Sequence, residues 1–488
     1  MNKVLLIVIT IQILGFSILF SQTAPDSLWF YTYGGNLDHK TYSLIQCSDG
    51  GFVFTGNTYE SGNSDVYLIK TDEDGVVLCS RTYDRSNSDY GYSVYETSDN
   101  GLIIAGYTKS YNLENMDIYL IRTDSDGDTL WTKSFDNTLF EFGQSVIQTY
   151  DGGFMVTGWG QTPDYGNKMI LLKADENGNI LWNNYIGGEF SSAGKSLQQT
   201  IDGGFIITGY NGTGIGSADL YLVKTDADGD TLWTKGFNES GTNVACYGND
   251  VKQTNDNGFI IAGEVEYNVD DSDIFLVRTD EYGNTLWTKT FGDIPDCGAE
   301  SIRQTNDGGF IMSGWKHEIG SGHYDIYILK TDSNGDSLWS KSFGGTYDDI
   351  AYDLVEDSEG EFIVTGYTDS YPLPGNYSAF LLKLGYETNT DNIINSSYFS
   401  AINYPNPCNP TTTIEFSIPN SSKVELMIYN IKGQKVKTII NDLYEKGNHS
   451  ITWNGDDDSG IAVIPGVYLY KLNIDGKTEA VKKCLLLK

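Results

Sequence analysis

Aromatic residues beside acidic and amide groups are the side chains whose type and spacing best suit ligand recognition. They fall in two sets of predicted connecting loops, which vary in length and composition along the chain. The first set is Tyr59, Tyr111, Tyr165, Tyr267, His317 and Tyr371. The second set is Tyr90, Phe142, Tyr247 and Tyr347. Such rings can stack on sugar rings or contact a protein surface, so we predict a binding role for both sets. The alternative is that each is an ordinary aromatic residue of a connecting loop.

Histidine chemistry finds little support in the sequence. The chain has 4 histidines, and His39 and His449 lie in unrelated regions. His317 and His323 share one segment with Asp325, which suits a weak metal site at most, because loop histidines are usually solvated. Paired acids are too frequent in this chain to single out glycosidase chemistry. We predict no catalytic set, no metal site and no cofactor.

Aspartate clusters with a glycine recur between predicted strands and resemble calcium loops. Examples are residues 124–128, 226–230 and 332–336. They lack the glycine at position six and the glutamate at position twelve of an EF-hand loop. Asp-Gly and Asn-Gly are also the residues that hairpin turns with positive φ require. We predict turns, and calcium binding at these aspartates is the alternative.

Composition excludes several classes of protein. The 488 residues include 31 Lys and Arg against 66 Asp and Glu, a formal net charge of −35. So acidic a surface repels phosphate backbones and anionic lipid, and we expect no nucleic-acid partner. The 55 glycines and 34 tyrosines favour tight turns and strands. We therefore predict an all-β protein.

An internal repeat supplies the elements that must position these residues. The Asp-Gly-Gly-Phe phrase at residues 49–52 recurs in related form at intervals of 50 to 54 residues. The marker positions are Phe52, Leu102, Phe154, Phe205, Phe259, Phe310 and Phe362. Alternating apolar residues between Gly/Asp turns predict four antiparallel strands per repeat, named here first to fourth strand. Seven such units predict a seven-bladed β-propeller over residues 22–385.

The seventh repeat lacks its own fourth strand. A matching segment stands instead at residues 26–35, where Trp29 corresponds to Trp339 of the sixth repeat. We predict that this N-terminal strand completes the last blade and closes the ring, which removes an exposed sheet edge. Tryptophan recurs at this position in most repeats, with Cys79 as the exception, so we predict packing between blades rather than ligand binding.

The N-terminus predicts export. Lys3 precedes an apolar run over residues 4–20, and the small Ser21 offers a cleavage point for a signal peptide over residues 1–21. The alternative, a membrane anchor, requires about 20 apolar residues. No later stretch is apolar enough to span a bilayer, so we predict no transmembrane segment in the mature chain.

Disulfides between Cys246 and Cys297 and between Cys408 and Cys484 are possible in an exported protein but not required.

Residues 401–488 differ from the repeats, and a polar linker over residues 386–400 precedes them. Alternating runs at residues 424–429 and 467–472 predict a small antiparallel, Ig-like β-sandwich. This part of the chain is near electrical neutrality, so the acidity belongs to the repeats.

Motifs of this region resemble, in the same order, the type A C-terminal sorting domain of the type IX secretion system. They are Tyr404, Pro405, Asn406, Pro407, Asn409 and Pro410, followed by Gly433, Gly466 and Tyr468. The pattern departs at Cys408, where the family usually has Phe. The resemblance implies a cargo of Bacteroidetes-like bacteria whose C-terminal domain is read by the type IX translocon. The alternative is an ordinary Ig-like accessory module.

These features predict a binding or adhesion protein that passes through the periplasm and is secreted or held at the outer-membrane surface. Its ligand would be a polysaccharide or an envelope or extracellular protein. Two other classes stay open: a polysaccharide-degrading enzyme on a propeller scaffold, and a structural component of the envelope.

Overall fold

The fold consists of strands, turns and irregular segments. The structure, a computed structural model, describes residues 24–34, 37–60, 62–85, 88–109, 115–135, 140–162, 166–214, 216–239, 244–268, 271–292, 296–317, 322–371, 376–385, 401–404, 408, 410–418, 421–430, 432–474 and 477–487. The predicted signal peptide and linker lie outside these residues. The described part contains no helix that could cross a membrane.

Each repeat contains the predicted strands. The first strands are β2 (Asp38–Gln46), β6 (Asp89–Glu96), β10 (Glu141–Gln148), β14 (Ser192–Gln199), β18 (Ala245–Gln253), β22 (Cys297–Gln304) and β26 (Asp349–Glu356). The second strands are β3 (Phe52–Glu60), β7 (Leu102–Lys109), β11 (Phe154–Gln161), β15 (Phe205–Gly214), β19 (Phe259–Asn268), β23 (Phe310–His317) and β27 (Phe362–Thr368). The third strands are β4 (Asn63–Thr71), β8 (Met116–Thr123), β12 (Asn167–Ala174), β16 (Ser217–Thr225), β20 (Asp271–Thr279), β24 (Tyr324–Thr331) and β28 (Ser378–Gly385). The fourth strands are β5 (Val77–Tyr83), β9 (Thr129–Phe135), β13 (Ile180–Ile186), β17 (Thr231–Phe237), β21 (Thr285–Phe291) and β25 (Ser337–Phe343).

These strands form open antiparallel sheets of four strands in sequence order. The groups β14–β17 and β18–β21 are joined by one parallel bridge, Ala218 to Ala245, and so count as one eight-stranded sheet. The last repeat takes its fourth strand from the N-terminus, because β1 (Asp26–Tyr33) pairs antiparallel with β28. The register runs from Asp26 opposite Gly385 to Tyr33 opposite Ala379.

A recurring ion pair explains the Asp-Gly-Gly turns. In each repeat an aspartate of the turn between the first and second strands meets a Lys or Arg of the third strand. In the third repeat, Lys173 Nζ lies 2.8 Å from Asp151 Oδ1, and the same oxygen accepts the Gly153 N–H at 3.0 Å. Burial alone would raise the pKa of Asp151, but these donors lower it to about 2. The Asp-Gly-Gly phrase is therefore structural.

The fourth-strand tryptophans pack between repeats, as predicted. The Trp131 indole covers the turn that precedes the fourth strand of the next repeat, where a Cβ on Gly178 would lie 2.7 Å from the ring. Gly178 has φ 75, which suits glycine. Trp29 of β1 covers Gly75 of the first repeat in the same way, at 3.2 Å. The N-terminal strand therefore packs on the first repeat as a fourth strand packs on the repeat after it.

The first strands contact one another from repeat to repeat, and β2 contacts β26 as well as β6. Backbone-to-side-chain hydrogen bonds accompany these contacts. Val94 N donates to Ser43 Oγ at 3.2 Å, and Val146 N donates to Ser93 Oγ at 3.1 Å. Between the last and first repeats, Leu44 N donates to Asp353 Oδ2 at 2.9 Å. The order of contacts is thus cyclic.

The C-terminal region is the predicted two-sheet sandwich. Its strands are β29 (Ala401–Tyr404), β30 (Thr412–Ile418), β31 (Ser422–Asn430), β32 (Lys435–Tyr444), β33 (Gly447–Trp453), β34 (Gly466–Ile474) and β35 (Lys477–Leu486). One sheet has the order β29-β30-β33 and the other β32-β31-β34-β35. Trp453, Leu426 and Leu472 are fully buried between them.

Candidate functional site

Every first strand contains a β-bulge at the same point. A small residue precedes the bulged residue, and a Ser or Asp follows it. The residues that the bulges leave unpaired are Tyr42, Tyr92, Gln144, Lys195, Asn249, Glu300 and Tyr352, named here the bulge ring. A bulge re-aims its side chain away from the ladder. Each first strand contacts the next, and β26 contacts β2, so the bulges of successive repeats lie in neighbouring strands; the region that they border is named here the centre of the repeats.

Aromatic rings line one side of this centre in a continuous series. The Tyr42 ring lies 5.0 Å from Tyr352 and 5.2 Å from Tyr92. The series continues through Tyr90 and Tyr107, whose rings stack at 4.8 Å, to Phe142 and Trp159. We name Tyr352, Tyr42, Tyr92, Tyr90, Tyr107, Phe142 and Trp159 the aromatic arc.

Within the aromatic arc, Phe142 and Trp159 are a cross-strand pair of β10 and β11. Their rings stack at 4.1 Å with an interplanar angle of 18°. Both side chains keep part of their surface exposed. Burial raises the pKa of Tyr92 to about 12, so this phenol stays a hydrogen-bond donor at neutral pH. The arc therefore presents ring surfaces together with hydroxyl groups.

Carboxyl groups occupy the other side of the centre. Burial raises the pKa of Glu264 to about 8, and the charges of Glu300 and Glu266 add to the rise while Lys195 opposes it. Burial also raises the pKa of Glu300, against the effects of Lys195 and of the Trp315 indole N–H, which donates to this carboxylate. Glu264 Oε2 lies beside Trp315, since a Cβ on Gly298 would be within 2.9 Å of both. Lys195, Glu264, Glu300 and Trp315 are named here the acidic side.

A salt-bridge network lies on the same first strands, next to the bulge ring. Arg303 binds Asp250 Oδ2 through one guanidinium nitrogen at 2.7 Å and Asp353 Oδ1 through the other at 2.9 Å. Lys252 Nζ lies 2.5 Å from Asp250 Oδ1. Burial alone would raise the pKa of Asp250, but Lys252 and Arg303 lower it to about 2. This network neutralises its own charges and ties the fifth, sixth and seventh repeats together.

Three of the predicted binding residues lie in this centre, although their predicted placement in loops was wrong. Tyr90, Phe142 and Tyr247 belong to the first strands β6, β10 and β18. Tyr90 and Phe142 both contact Tyr107 in the aromatic arc. Tyr247 lies across from Glu264 in the β18–β19 pair and 5.4 Å from the Tyr210 ring. The first strands begin earlier than expected because each pairs with its second strand beyond the bulge.

Three further candidates also lie in strands rather than loops. Tyr59, Tyr267 and His317 stand near the ends of β3, β19 and β23. The second and third strands stay paired almost to the hairpin tip, as Tyr59 opposite Ser64 and His317 opposite Tyr324 illustrate. This pairing satisfies backbone groups that a loop would leave to water. The structure does not bring these three side chains into the aromatic arc.

The remaining candidates are dispersed. The backbone N–H of Tyr347 donates to Ser370 Oγ at 3.0 Å, and the Tyr371 hydroxyl donates to the Gly344 carbonyl at 3.4 Å, at the edge of the last repeat. His323, considered above with His317, contacts Asp348 at 3.3 Å through Nδ1. Tyr111 and Tyr165 lie outside the described residues.

The aspartate-rich turns bind their own backbone. Asp124 Oδ1 accepts the N–H groups of Asp126 at 3.0 Å and Asp128 at 2.9 Å, and Gly127 has φ 79. Asp226 and Asp332 repeat this arrangement. Because these hydrogen bonds stabilise the turns, the Asp and Gly residues at these positions are explained by turn formation.

The sorting-motif residues that the structure describes serve the sandwich itself. Gly433 has φ 73 in the β31–β32 turn, and Tyr468 is buried with its hydroxyl donating to the Ile464 carbonyl at 2.6 Å. Tyr404 ends β29, Pro410 precedes β30 and is exposed, and Gly466 begins β34. Pro405, Asn406, Pro407 and Asn409 lie outside the described residues.

Sequence reasoning missed the bulge ring, the acidic side and five members of the aromatic arc. The sequence predicted only Tyr90 and Phe142 of the arc. The missed members are Tyr42, Tyr92, Tyr107, Trp159 and Tyr352. A signal exists in the sequence: a variable residue between a small residue and Ser or Asp, a few positions before each Gln-Thr or its equivalent. Its identity changes from repeat to repeat, so the position is constant while the residue type is not.

Comparison with known families gives one match. Residues 410–477 match the FlgD Ig-like domain family. This match agrees with the predicted Ig-like sandwich, while the sorting role stays a prediction. No curated protein matches the chain.

Solved structures give weak likenesses. A protein of unknown function from Dyadobacter fermentans is 13% identical, with 74% of this chain and 100% of that chain covered and a TM-score of 0.46. A copper-bound fungal alcohol oxidase is 11% identical, with coverage of 96% and 100% and a TM-score of 0.48. PorZ, a surface component of the type IX secretion system of Porphyromonas gingivalis, is 11% identical, with coverage of 92% and 81% and a TM-score of 0.29. These scores are too low to support an assignment.

Proposed function

We propose that the protein is an exported binding protein whose repeats form a closed seven-bladed β-propeller with a polysaccharide site at its centre. The observation that carries the proposal is the aromatic arc, whose member Tyr352 lies near enough to Glu300 of the acidic side for that carboxylate to help raise the pKa of Tyr352. Sugar rings present apolar C–H faces and hydroxyl edges. A site for them needs ring surfaces and hydrogen-bonding groups together, and the centre of the repeats contains both.

The junction between the last and first repeats supports the closed ring. Tyr33, Leu44 and Phe54 share one buried cluster with Ile363 and Leu381 of the last repeat. The Leu44–Asp353 bond repeats the bonds between repeats that are adjacent in sequence. A propeller closed in this way has no exposed sheet edge at its seam.

An unsatisfied polar group near the aromatic arc supports a polar ligand. Asn57 is 7% exposed, and its Oδ1 has no hydrogen-bond partner among the described residues. It lies opposite Lys40, whose ammonium group is 4.2 Å from the Tyr367 ring centre. Buried polar atoms are rarely left unsatisfied, so a ligand hydroxyl or a water at this point would remove the penalty.

The direct test is a thermal-shift screen of the mature chain against purified bacterial and plant polysaccharides, followed by calorimetry on any that bind. Trp159→Ala should weaken binding about tenfold, roughly 1.4 kcal/mol. Tyr59→Ala is the matched control, because this exposed aromatic lies outside the arc, and it should leave Kd unchanged. Absence of any shift, or equal effects of the two variants, would refute the site and favour a protein ligand or a structural role.

A polysaccharide-degrading enzyme is the second candidate, favoured by the two carboxyl groups beside Lys195. A Glu264 carboxyl that is protonated near neutral pH could donate its proton to a glycosidic oxygen, while Glu300 accepts one from the attacking water. The test is release of reducing ends from a bound polysaccharide. Glu300→Gln should abolish the release of reducing ends and preserve polysaccharide binding. If the unmodified protein releases no reducing ends, the enzyme candidate is refuted and only the binding function is left.

The C-terminal sandwich is the proposed sorting signal for the type IX translocon. Support comes from the order of its motifs and from the signal peptide predicted at the other end of the chain. Export through the periplasm would place the mature chain outside the cell or at the outer-membrane surface. Deleting residues 401–488 should trap the protein in the periplasm of a host with this secretion system. Normal export of the truncated chain would refute the sorting role.

A further inference from the structure

Three carboxyl groups converge where the first repeat meets the second. Asp65 lies in β4, Asp84 directly follows β5, and Asp89 begins β6. One carboxylate oxygen from each lies within 4.8 Å of the other two. Asp65 and Asp89 are buried, whereas Asp84 is exposed. Three different segments thus bring acidic oxygens to one point, at a seam between two sheets.

Asp89 has an unsatisfied oxygen at this point. Its side chain is 0% exposed, and Oδ2 accepts the Arg85 N–H at 2.8 Å. Its Oδ1 has no hydrogen-bond partner among the described residues. Thr58, opposite Asp65 in the β3–β4 pair, is 3% exposed, and its Oγ1 likewise has no such partner. An enclosed carboxylate oxygen without a donor is costly, and a bound cation removes that cost.

Two other seams carry different residues at the same register positions, whereas Asp117 with Glu141 and Asp325 with Asp349 repeat the pair of carboxylates. Among the described residues, only the seam of Asp65 and Asp89 adds a third carboxylate within 4.8 Å. At the seam between the third and fourth repeats, Lys168 takes the position of Asp65 and Ser192 that of Asp89. There the Lys168 ammonium donates to the carbonyls of Gly188 and Phe190. At the seam between the fourth and fifth repeats, Asp219 has the position of Asp65 and accepts the Asn238 amide at 2.8 Å. These seams contain a positive charge or an amide donor of their own.

We propose that Asp65, Asp84 and Asp89 bind a divalent cation of the calcium type between the first and second repeats. The described ligand atoms are all oxygens, with no His or Cys among them, which suits a hard cation rather than zinc. Backbone carbonyls and water would complete the six to eight ligands that calcium takes. The ion would fix the start of β6 beside Tyr90, and so would brace the aromatic arc at one end.

This site is separate from the aspartate-rich turns. The Asp124 carboxylate already accepts two backbone N–H groups, so a cation there would compete with the turn. The two positions are therefore distinguishable by substitution, because Asp124→Asn alters the turn and leaves the seam intact.

The test uses the full mature chain, freed of metal with a chelator and titrated with calcium chloride and magnesium chloride by calorimetry. We expect one calcium site whose Kd rises at least tenfold in Asp65→Asn, Asp84→Asn and Asp89→Asn. Asp219→Asn is the matched control, because it changes the same register position at another seam, and Asp124→Asn tests the turns. Both should retain the site.

A melting-temperature series gives an independent reading. Calcium should raise the melting temperature of the unmodified protein and of Asp219→Asn, and the rise should be lost in Asp84→Asn, whose exposed side chain makes misfolding a poor explanation. No calcium binding by the unmodified protein would overturn the proposal. Retained binding in the three seam variants, or loss confined to Asp124→Asn, would overturn it as well.

Discussion

Thr41 donates its hydroxyl to the carbonyl oxygen of Gly366 at 2.7 Å across 325 positions of the chain. Four other repeats place glycine where the first repeat has Thr41, and the last two place alanine. Gly143 lies against the Gly106 carbonyl and Gly194 against the Gly158 carbonyl of the preceding repeat, so that an added Cβ would come within 3.0 and 3.3 Å. The first repeat thus meets the last as each repeat meets its predecessor. The extra hydroxyl of Thr41 adds one hydrogen bond where the first repeat meets the last.

This seam makes a prediction about Trp29. Trp29→Ala should lower the free energy of unfolding by about 2 kcal/mol, because the indole packs between β1 and the turn at Gly75. Trp131→Ala is the matched control, since it removes the corresponding ring between two central repeats. We expect similar losses in urea unfolding. A large loss for Trp131→Ala with none for Trp29→Ala would mean that the N-terminal strand does not close the ring.

His39 predicts a pH dependence of stability at the same seam. It is 7% exposed, and burial lowers its pKa to about 4, against a modest opposing effect of Asp38. The unfolded chain, with an ordinary pKa of 6.5, binds this proton more readily than the folded protein. Stability from this group is therefore complete above pH 6.5 and is lost as pH falls toward 4, by about 3 kcal/mol.

The variant His39→Phe should remove that slope, because it keeps a ring against Tyr67 and deletes the titrating group. Urea midpoints measured from pH 4 to 8 in both proteins provide the comparison. Equal slopes would show that the acid sensitivity comes from other groups.

The raised pKa of Glu264 predicts that stability falls as pH rises, which is the opposite of the trend expected from His39. Burial, aided by Glu300 and Glu266, raises its pKa to about 8 from an ordinary value of 4.5. The folded protein therefore holds this proton more tightly than the unfolded chain, and stability falls as pH rises from 4.5 through 8. The loss is on the order of 3–5 kcal/mol. Glu264→Gln, a neutral isostere, should match the unmodified protein near pH 4.5 and exceed its melting temperature at pH 8 to 9. A variant that is less stable at pH 9 would contradict the assignment.

The sequence predicted the repeating strands well because their signals are local. Thr129–Phe135 begins and ends where the alternation of residues 129–135 predicts, and Asp26–Tyr33 pairs with the strand that lacked a partner. The turns were predicted equally well, because the roles of Asp124 and Gly127 in the turn depend only on neighbouring residues. Local propensity and the fold agree at these positions.

The centre of the repeats was less predictable because it depends on contacts between residues far apart in the chain. Tyr42 and Tyr352 meet in the aromatic arc only after the last repeat has packed on the first. Glu264 and Glu300 belong to different repeats, and their shared environment has no sequence pattern of its own. Tyr90 and Phe142 were predicted to lie in loops, but strand pairing continues beyond the bulge and both residues belong to strands. One unpaired residue in a first strand re-aims a side chain without changing the alternation on either side.

The last prediction concerns the two cysteines of the sandwich. Cys408 and Cys484 place their Sγ atoms 3.4 Å apart across 76 positions, and the Cys484 thiol lowers the pKa of Cys408. A disulfide requires about 2.05 Å, so a small approach of the two side chains would suffice. Oxidised glutathione should convert the two thiols to a disulfide and be reduced to two glutathione thiols. The closed loop should add about 4 kcal/mol to the stability of the sandwich. Peptide mapping without reductant should find this bridge, and Cys408→Ser should abolish both the bridge and the gain. An equal gain in Cys408→Ser would assign the effect to other cysteines, such as Cys246 and Cys297.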